Sequence, residues 1–169
     1  MQGNLGEDRK NVGLLVKAFF ELFKNKQNAP ALILKTAVTG ASYMGRDKII
    51  DKITQIKATM SDQRLPNVYL LHGEFSDVEM NEIYNHPKVK AMVSLTKGEG
   101  FGRPLLEFSL TKKPIIATNW SGHIDFLNPE FTTLINGELK NVDDSAVVKD
   151  MILKESQWFT PNPGEIGHY

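Results

Sequence analysis

The sequence predicts an α/β protein, a Rossmann-like, doubly wound parallel sheet with helices on both faces. Two observations lead to this class. Short apolar runs typical of buried strands alternate along the chain with stretches whose apolar residues recur at helical spacing. Such alternation produces βαβ units, in which right-handed crossovers keep the strands parallel. The 169 residues suit a single domain over 1–169.

The first elements are predicted from periodicity. Apolar residues recur every three or four positions over 10–24 and again over 47–60, which indicates two helices. Between them, the run ALILKTAV at 31–38 is short, apolar and bounded by turn residues, so it is predicted as a buried strand. The segment 39–46 carries two glycines and is predicted as the loop after that strand.

The alternation continues towards the C-terminus. The same criteria predict strands and helices in turn: strands at 67–71, 90–95, 114–118 and 132–135, and helices at 77–84, 104–111 and 146–154. The tail after 154 has no clear period. No strand precedes the first helix, and residues 1–9 are too polar to supply one. We therefore expect both ends to be truncated.

The charge and composition of the chain exclude some classes of partner and site. Lysine and arginine total 20, and so do aspartate and glutamate. A sequence-independent nucleic-acid binder carries a positive excess, so we expect no nucleic-acid partner and only local phosphate binding. The absence of cysteine excludes disulfides and thiolate metal sites. No apolar run approaches the ~20 residues that span a bilayer, so we expect a cytoplasmic location or, alternatively, the cytoplasmic face of a membrane.

The segment GEGFGRPLLE at 98–107 carries the strongest functional signal. It follows a predicted strand and leads into a predicted helix, and parallel sheets bind ligands beyond the carboxyl ends of their strands. Its three glycines let the backbone approach a ligand closely. Pro104 suits the first turn of a helix, where its missing N–H is not needed. The free amides of the loop and this first turn are predicted to bind an anion.

Two carboxylates flank this loop. Glu99 and Glu107 have seven residues between them. Carboxylates bind phosphate poorly but accept hydrogen bonds from hydroxyl groups. Backbone amides for phosphates together with carboxylates for hydroxyls suit a nucleoside diphosphate sugar. The structural alternative is a tight strand-to-helix turn with solvated glutamates.

At these residues the sequence resembles a known family. EGFGRPLLE resembles the E-x7-E motif of retaining GT-B glycosyltransferases, of the family 4 or "glycosyl transferases group 1" type. The segment 93–127 resembles that family's strand, loop, helix, strand and glycine-containing turn, and DRKNVGLLVKAFFEL resembles its first helix. The resemblance covers about residues 3 to 140. It implies the C-terminal, donor-binding half of a GT-B fold.

The resemblance also implies a role for eight residues. The implied donor contacts are Glu99, Gly100 and Phe101 at the sugar, Lys10, Gly102 and Arg103 at the phosphates, Glu107 at the ribose, and Phe75 at the base. The donor is expected to be a UDP-, GDP- or ADP-linked sugar. We expect no metal and no cofactor, because no Asp-x-Asp pair occurs. The four histidines show no ligand spacing and are read as structural or exposed.

Two departures from the family pattern qualify these expectations. Asn4 stands where the family has an arginine, and Arg9 is a possible substitute. We also expect this chain to lack the family's N-terminal acceptor-binding domain, so the intact enzyme is expected to transfer the glycosyl group with retention, whereas this chain alone is expected to be inactive. Two alternatives stay open: a non-catalytic nucleotide-sugar-binding module, and half of a GT-B epimerase or phosphorylase.

Overall fold

The computed structural model describes residues 8–36, 43–60 and 63–167. The chain divides into two compact units, one ending at Phe75 and the other beginning at Ser76. None of the helices within these described segments combines the length and apolar character needed to cross a membrane. The cytoplasmic location and the single domain over 1–169 stay predictions.

The first unit is built from two parallel strands and two helices. Its elements in chain order are α1 (Val12–Phe23), β1 (Leu32–Thr36), α2 (Tyr43–Ala58) and β2 (Val68–His72). Leu32 lies opposite Val68, and Thr36 lies opposite His72. Because α2 connects two parallel strands, this unit contains the predicted βαβ crossover.

Apolar side chains from all parts of the first unit form its core. Val16 and Phe20 of α1 are buried with Leu34 of β1 and Met60, which follows α2. Val16 and Phe20 lie four residues apart on one face of the helix, and the partly buried Val12, Leu15 and Phe19 pack against the same cluster. Burying each such side chain stabilises a fold by about 1.5–3 kcal/mol, so this cluster fixes α1 on the β1–β2 sheet.

The second unit contains a parallel sheet and an antiparallel pair of strands. Its elements in chain order are α3 (Asp77–Asn85), β3 (Met92–Ser94), α4 (Arg103–Ser109), β4 (Ile115–Thr118), β5 (Thr132–Ile135), β6 (Gly137–Asn141), β7 (Gln157–Pro161) and α5 (Pro163–Ile166). Strands β3, β4 and β5 pair in that order and run parallel. Strands β6 and β7 pair antiparallel.

Helix α4 is anchored on the parallel sheet. Leu105 and Phe108 of α4 are almost fully buried and cluster with Ile115 and Ala117 of β4. Tyr84 of α3 meets the ring of Phe108 edge-on, with centroids 5.6 Å apart. This packing holds the residues at the start of α4, and the loop before them, at a defined place beyond the ends of β3 and β4.

The predicted alternation of strands and helices is confirmed as far as β5. Each predicted strand overlaps an observed one, and the connections from β1 to β2, from β3 to β4 and from β4 to β5 join parallel strands. Within the described residues, the hydrogen-bonded strands form parallel sheets of two and three strands. A single doubly wound sheet with helices on both faces stays a prediction.

Two predicted segments differ from the structure. The predicted helix at 146–154 is wrong: a 3₁₀ turn at Asp144–Ala146 is followed by turns and a bridge from Val148 to Ile152. β-Branched residues disfavour an α-helix there, and Asp150 has a left-handed φ of 62°. The tail after 154, whose sequence has no clear period, supplies β7 and α5.

Helix α2 begins earlier than predicted. It starts at Tyr43, so 43–46 of the predicted loop are helical, while 39–42 lie outside the described residues. The helical apolar spacing begins only at Ile49, so the first turn, which is largely exposed, leaves no mark in the apolar pattern.

Candidate functional site

The glycine loop begins at the end of β3 and is tied to the end of β4. The hydroxyl of Thr96 donates to the carbonyl oxygen of Gly98 (3.1 Å) and accepts from its N–H (3.4 Å). The hydroxyl of Thr118 donates to the carbonyl oxygen of Thr96 (2.9 Å). Both threonines are buried. The loop therefore begins from a fixed point at the sheet edge where parallel α/β folds bind ligands.

The backbone of Glu99 is clamped by the turn that follows β4. Its N–H donates to the hydroxyl of Ser121 (3.1 Å), and its carbonyl oxygen accepts from that hydroxyl and from the N–H of Gly122 (3.1 Å). Glu99 is only 9% exposed. The predicted sugar-binding carboxylate thus lies on a fixed backbone between the loop and the turn.

Steric fit locks the same two segments together at two glycines. Gly102 has a φ of 84°, which favours glycine, and a Cβ there would lie 3.0 Å from the Cβ of His123. A Cβ on Gly122 would overlap the carbonyl oxygen of Gly100 and lie 3.0 Å from its carbonyl carbon. The loop after β3 and the turn after β4 therefore interlock, and neither can move without the other.

Gly98 and Gly100 have no such internal reason to be glycine. Neither has a left-handed φ, and a Cβ added to either would meet no described atom within 4 Å. Open space therefore lies where their side chains would be. Between them and α4, Phe101 is 57% exposed, and its ring lies 5.3 Å from that of Phe126. The loop presents bare backbone and one exposed aromatic ring.

Glu107 lies on α4 in an ion pair with Arg103. The Nε atom of Arg103 donates to Oε1 of Glu107 at 2.5 Å, and another guanidinium nitrogen lies 3.3 Å from Oδ1 of Asp77. The side chain of Glu107 is 34% exposed and that of Arg103 is 71% exposed. The hydrogen bond with Glu107, followed by the charges of Glu107 and Asp77, raises the pKa of Arg103.

A cleft of about 280 Å³ opens between α3 and α4. Its lining residues come from both helices and the residue after α4: Asp77, Met80, Asn81, Tyr84, Arg103, Glu107 and Leu110. Burial, together with the charge of Glu107 and a hydrogen bond to it, raises the pKa of the Tyr84 hydroxyl to about 12. Glu107 and Arg103 thus share this cleft, whereas Glu99 is not among its lining residues. A joint grip by the two glutamates stays a prediction.

The other two predicted site residues lie in the first unit. Lys10 stands just before α1, and its N–H donates to Oδ1 of the buried Asp8 (2.9 Å). Asp8 also accepts from the N–H of Val12, so one carboxylate sets the entry to the helix. The ring of Phe75 lies 5.3 Å from the ammonium group of Lys35. Asn4 lies outside the described residues.

The buried histidine of the turn has a structural contact. The ring Nε2 of His123 lies 2.7 Å from the carbonyl oxygen of Thr118, and the side chain is fully buried. Across the described segments, no group of three or more histidine, aspartate or glutamate side chains is arranged to hold a metal ion. Donor binding without a metal stays a prediction.

Sequence reasoning missed several residues of the site. Ser121 and Gly122 lie in the glycine-containing turn after a predicted strand, but their packing against Glu99 depends on the fold. Tyr84 and Asp77 could not be predicted as site residues, because the spacing of residues along α3 does not reveal which helix packs beside it.

The family of the chain follows from a comparison with family models. The model described as "Glycosyl transferases group 1" matches residues 3–155, most of the chain. The chain belongs to the group 1 glycosyl transferases. A glycosyl transferase of this group uses a sugar nucleotide and an acceptor as substrates, and the glycine loop and Glu107 lie within the matched residues. No curated protein sequence matches the chain significantly.

Proposed function

We propose that this glycosyl transferase binds a nucleoside diphosphate sugar on the loop 98–102 and at Glu107, in a donor-binding half of the GT-B type. The observation that carries the proposal is the open space at Gly98 and Gly100. Neither internal packing nor backbone conformation requires glycine there. Close approach of a ligand to the backbone accounts for glycine at both positions, and backbone amides suit a diphosphate.

The electrostatic role of the site follows from glycosyl transfer. When the bond between sugar and diphosphate breaks, negative charge grows on the departing phosphate oxygens. Preorganised N–H groups and a cation lower the energy of that charge because they need no reorganisation during the reaction. We assign this role to the amides of Gly102 and Arg103 and to the ammonium group of Lys10.

The two glutamates are assigned to hydroxyl groups. Glu99 is fixed by Ser121 and Gly122, which suits a group that must orient the donor sugar together with Gly100 and Phe101. Glu107 lies on a helix and keeps part of its carboxylate exposed, which suits recognition of the ribose. Phe75 is assigned to the base. We propose that transfer retains the anomeric configuration, with the new bond formed on the face that the diphosphate leaves.

Calorimetry with UDP, GDP and ADP tests the proposal. We expect one of them to bind the chain, and Glu107→Ala to weaken that binding tenfold or more. Two hydrogen bonds to a charged group are lost, each worth about 1.5–3 kcal/mol. Glu130→Ala is the matched control, because Glu130 is exposed and lies outside the site. Failure of all three nucleotides to bind the folded chain at millimolar concentration contradicts the proposal.

A further inference from the structure

Four charged or polar side chains from α3 and α4 meet in one cleft. Asp77 and Tyr84 extend from α3, and Arg103 and Glu107 from α4, into the cleft described above. Arg103 contacts both carboxylates, at 2.5 Å to Glu107 and 3.3 Å to Asp77. Tyr84 lines the same cleft, where burial and the charge of Glu107 raise the pKa of its hydroxyl. Glu107 is thus paired with Arg103 and flanked by Tyr84, and both lie outside the glycine loop.

Helix stability does not account for the Arg103–Glu107 pair. Arg103 is the first residue of α4, where a positive charge opposes the helix dipole. An arginine four residues before a glutamate is also the less stabilising order of the two. With Arg103 71% exposed, such a surface pair adds little to stability. A role in placing the Glu107 carboxylate explains the geometry better.

The partners on α3 are themselves fixed. The Ser76 hydroxyl and the Glu79 carboxylate form a capping box at the start of α3, next to Asp77. At the other end, the ammonium group of Lys113 donates to the carbonyl oxygens of Tyr84 (2.7 Å) and His86 (2.9 Å). Both ends of the helix that presents Asp77 and Tyr84 are therefore tied down.

The hydrogen-bond capacity of Glu107 matches a diol. A carboxylate offers about four acceptor sites. The Nε–H of Arg103 uses one of them, so two are left for a ligand even where the hydroxyl of Tyr84, which lines the same cleft, takes another. The 2′- and 3′-hydroxyls of a ribose supply two donors on adjacent carbons.

We propose that Tyr84 and Arg103, the latter steadied by Asp77, are positioning residues that orient Glu107 for the ribose diol of the nucleotide. This inference rests on the proposed function and adds to it a group of residues on α3. Without Arg103 and Tyr84 beside it the carboxylate would sample several rotamers, and ordering it would cost affinity when the diol binds.

A ratio of affinities isolates this role. The ligands are whichever of UDP, GDP and ADP binds best and the 2′,3′-dideoxy form of the same nucleotide. The diol ratio is the dissociation constant of the dideoxy form divided by that of the parent. We expect a ratio of about ten or more for the unmodified chain and near one for Glu107→Ala. Because the base and the diphosphate are the same in both ligands, their contributions to the affinity cancel in the ratio.

Tyr84→Phe removes the hydroxyl and keeps the ring against Phe108. We expect it to lower the diol ratio by about threefold to tenfold, the size of one hydrogen bond, with binding of the dideoxy form unchanged. Tyr43→Phe, at an 81% exposed tyrosine on α2, is the matched control and should leave the ratio unchanged. A Tyr84→Phe chain that weakens both ligands equally, or neither, overturns the positioning role.

If the Tyr84→Phe chain does not fold, Arg103→Gln provides a second test of the positioning role. Arg103 is largely exposed, so its loss should not unfold the chain, and we expect a lower diol ratio. Arg64→Gln, at an exposed arginine, is the control. An unchanged ratio in Arg103→Gln overturns the inference. A ratio near one in the unmodified chain contradicts the ribose assignment of Glu107 itself, so the two failures are distinguishable.

Discussion

Two neighbouring regions of the second unit are held in opposite ways. The glycine loop and the turn after β4 interlock through backbone hydrogen bonds and steric contact, with Glu99 almost buried between them. In the cleft between α3 and α4, exposed side chains hold Glu107 by charge and hydrogen bonds. The backbone of the first region is therefore fixed by packing. In the second region, single side-chain substitutions can change the contacts of Glu107.

The largest expected effect tests the rigidity of the loop region. Gly122→Ala places a Cβ against the carbonyl group of Gly100, so the turn and the loop must separate. We expect the free energy of unfolding to fall by about 2–3 kcal/mol, as for other overpacked sites. Urea denaturation measures it. A stability within about 0.5 kcal/mol of the unmodified chain would show that the two segments do not interlock.

The next effect separates packing from ligand binding inside the same loop. Gly100→Ala meets open space and requires no left-handed φ. We expect stability to be unchanged or to rise by up to about 1 kcal/mol. Nucleotide affinity should fall tenfold or more, because the methyl group occupies the space assigned to the donor. Both are measured on one preparation, by urea denaturation and calorimetry. Unimpaired binding would mean that the ligand does not approach this backbone.

The smallest effect concerns the cleft and is a pH dependence. The pKa of Tyr84 rises from 10 in the unfolded chain to about 12 in the folded one. Between these values the unfolded chain loses the proton first, so stability falls as the pH rises. At pH 11 we expect this loss to reach about 1 kcal/mol relative to pH 9.

Tyr84→Phe should not show that loss, since phenylalanine does not ionise. Unfolding of both chains in urea at pH 9 and pH 11 gives the difference, in which the titration of lysines and other tyrosines cancels. Parallel losses in the two chains would show that the Tyr84 hydroxyl is not held by burial and Glu107.

Local patterns were sufficient to predict most of the fold, and the exceptions share a cause. β6 is exposed at all five positions and has the polar sequence GELKN, so it shows no apolar alternation. It pairs with β7, which begins at Gln157, and a local pattern cannot reveal so distant a partner. The helix predicted at 146–154 was an apolar stretch that the chain uses as turns.

For the site, the sequence indicated where the loop backbone lies but not which residues pack against it. Glycine spacing after a strand located the loop, because glycine permits close approach and adopts a left-handed φ without steric cost. That Gly102 and Gly122 satisfy packing, whereas Gly98 and Gly100 do not, is visible only in the fold. The contact between Asp77 and Arg103 joins two helices and could not be predicted from either one.

The most direct test of donor binding on the loop is an amide titration. In a ¹H–¹⁵N spectrum of the chain, the nucleotide that binds best is added, and each amide is followed. We predict the largest shifts at residues 98–103, with Gly98, Gly100 and Gly102 in the well-separated glycine region. Saturable binding that leaves these amides unmoved and shifts others instead would contradict the account.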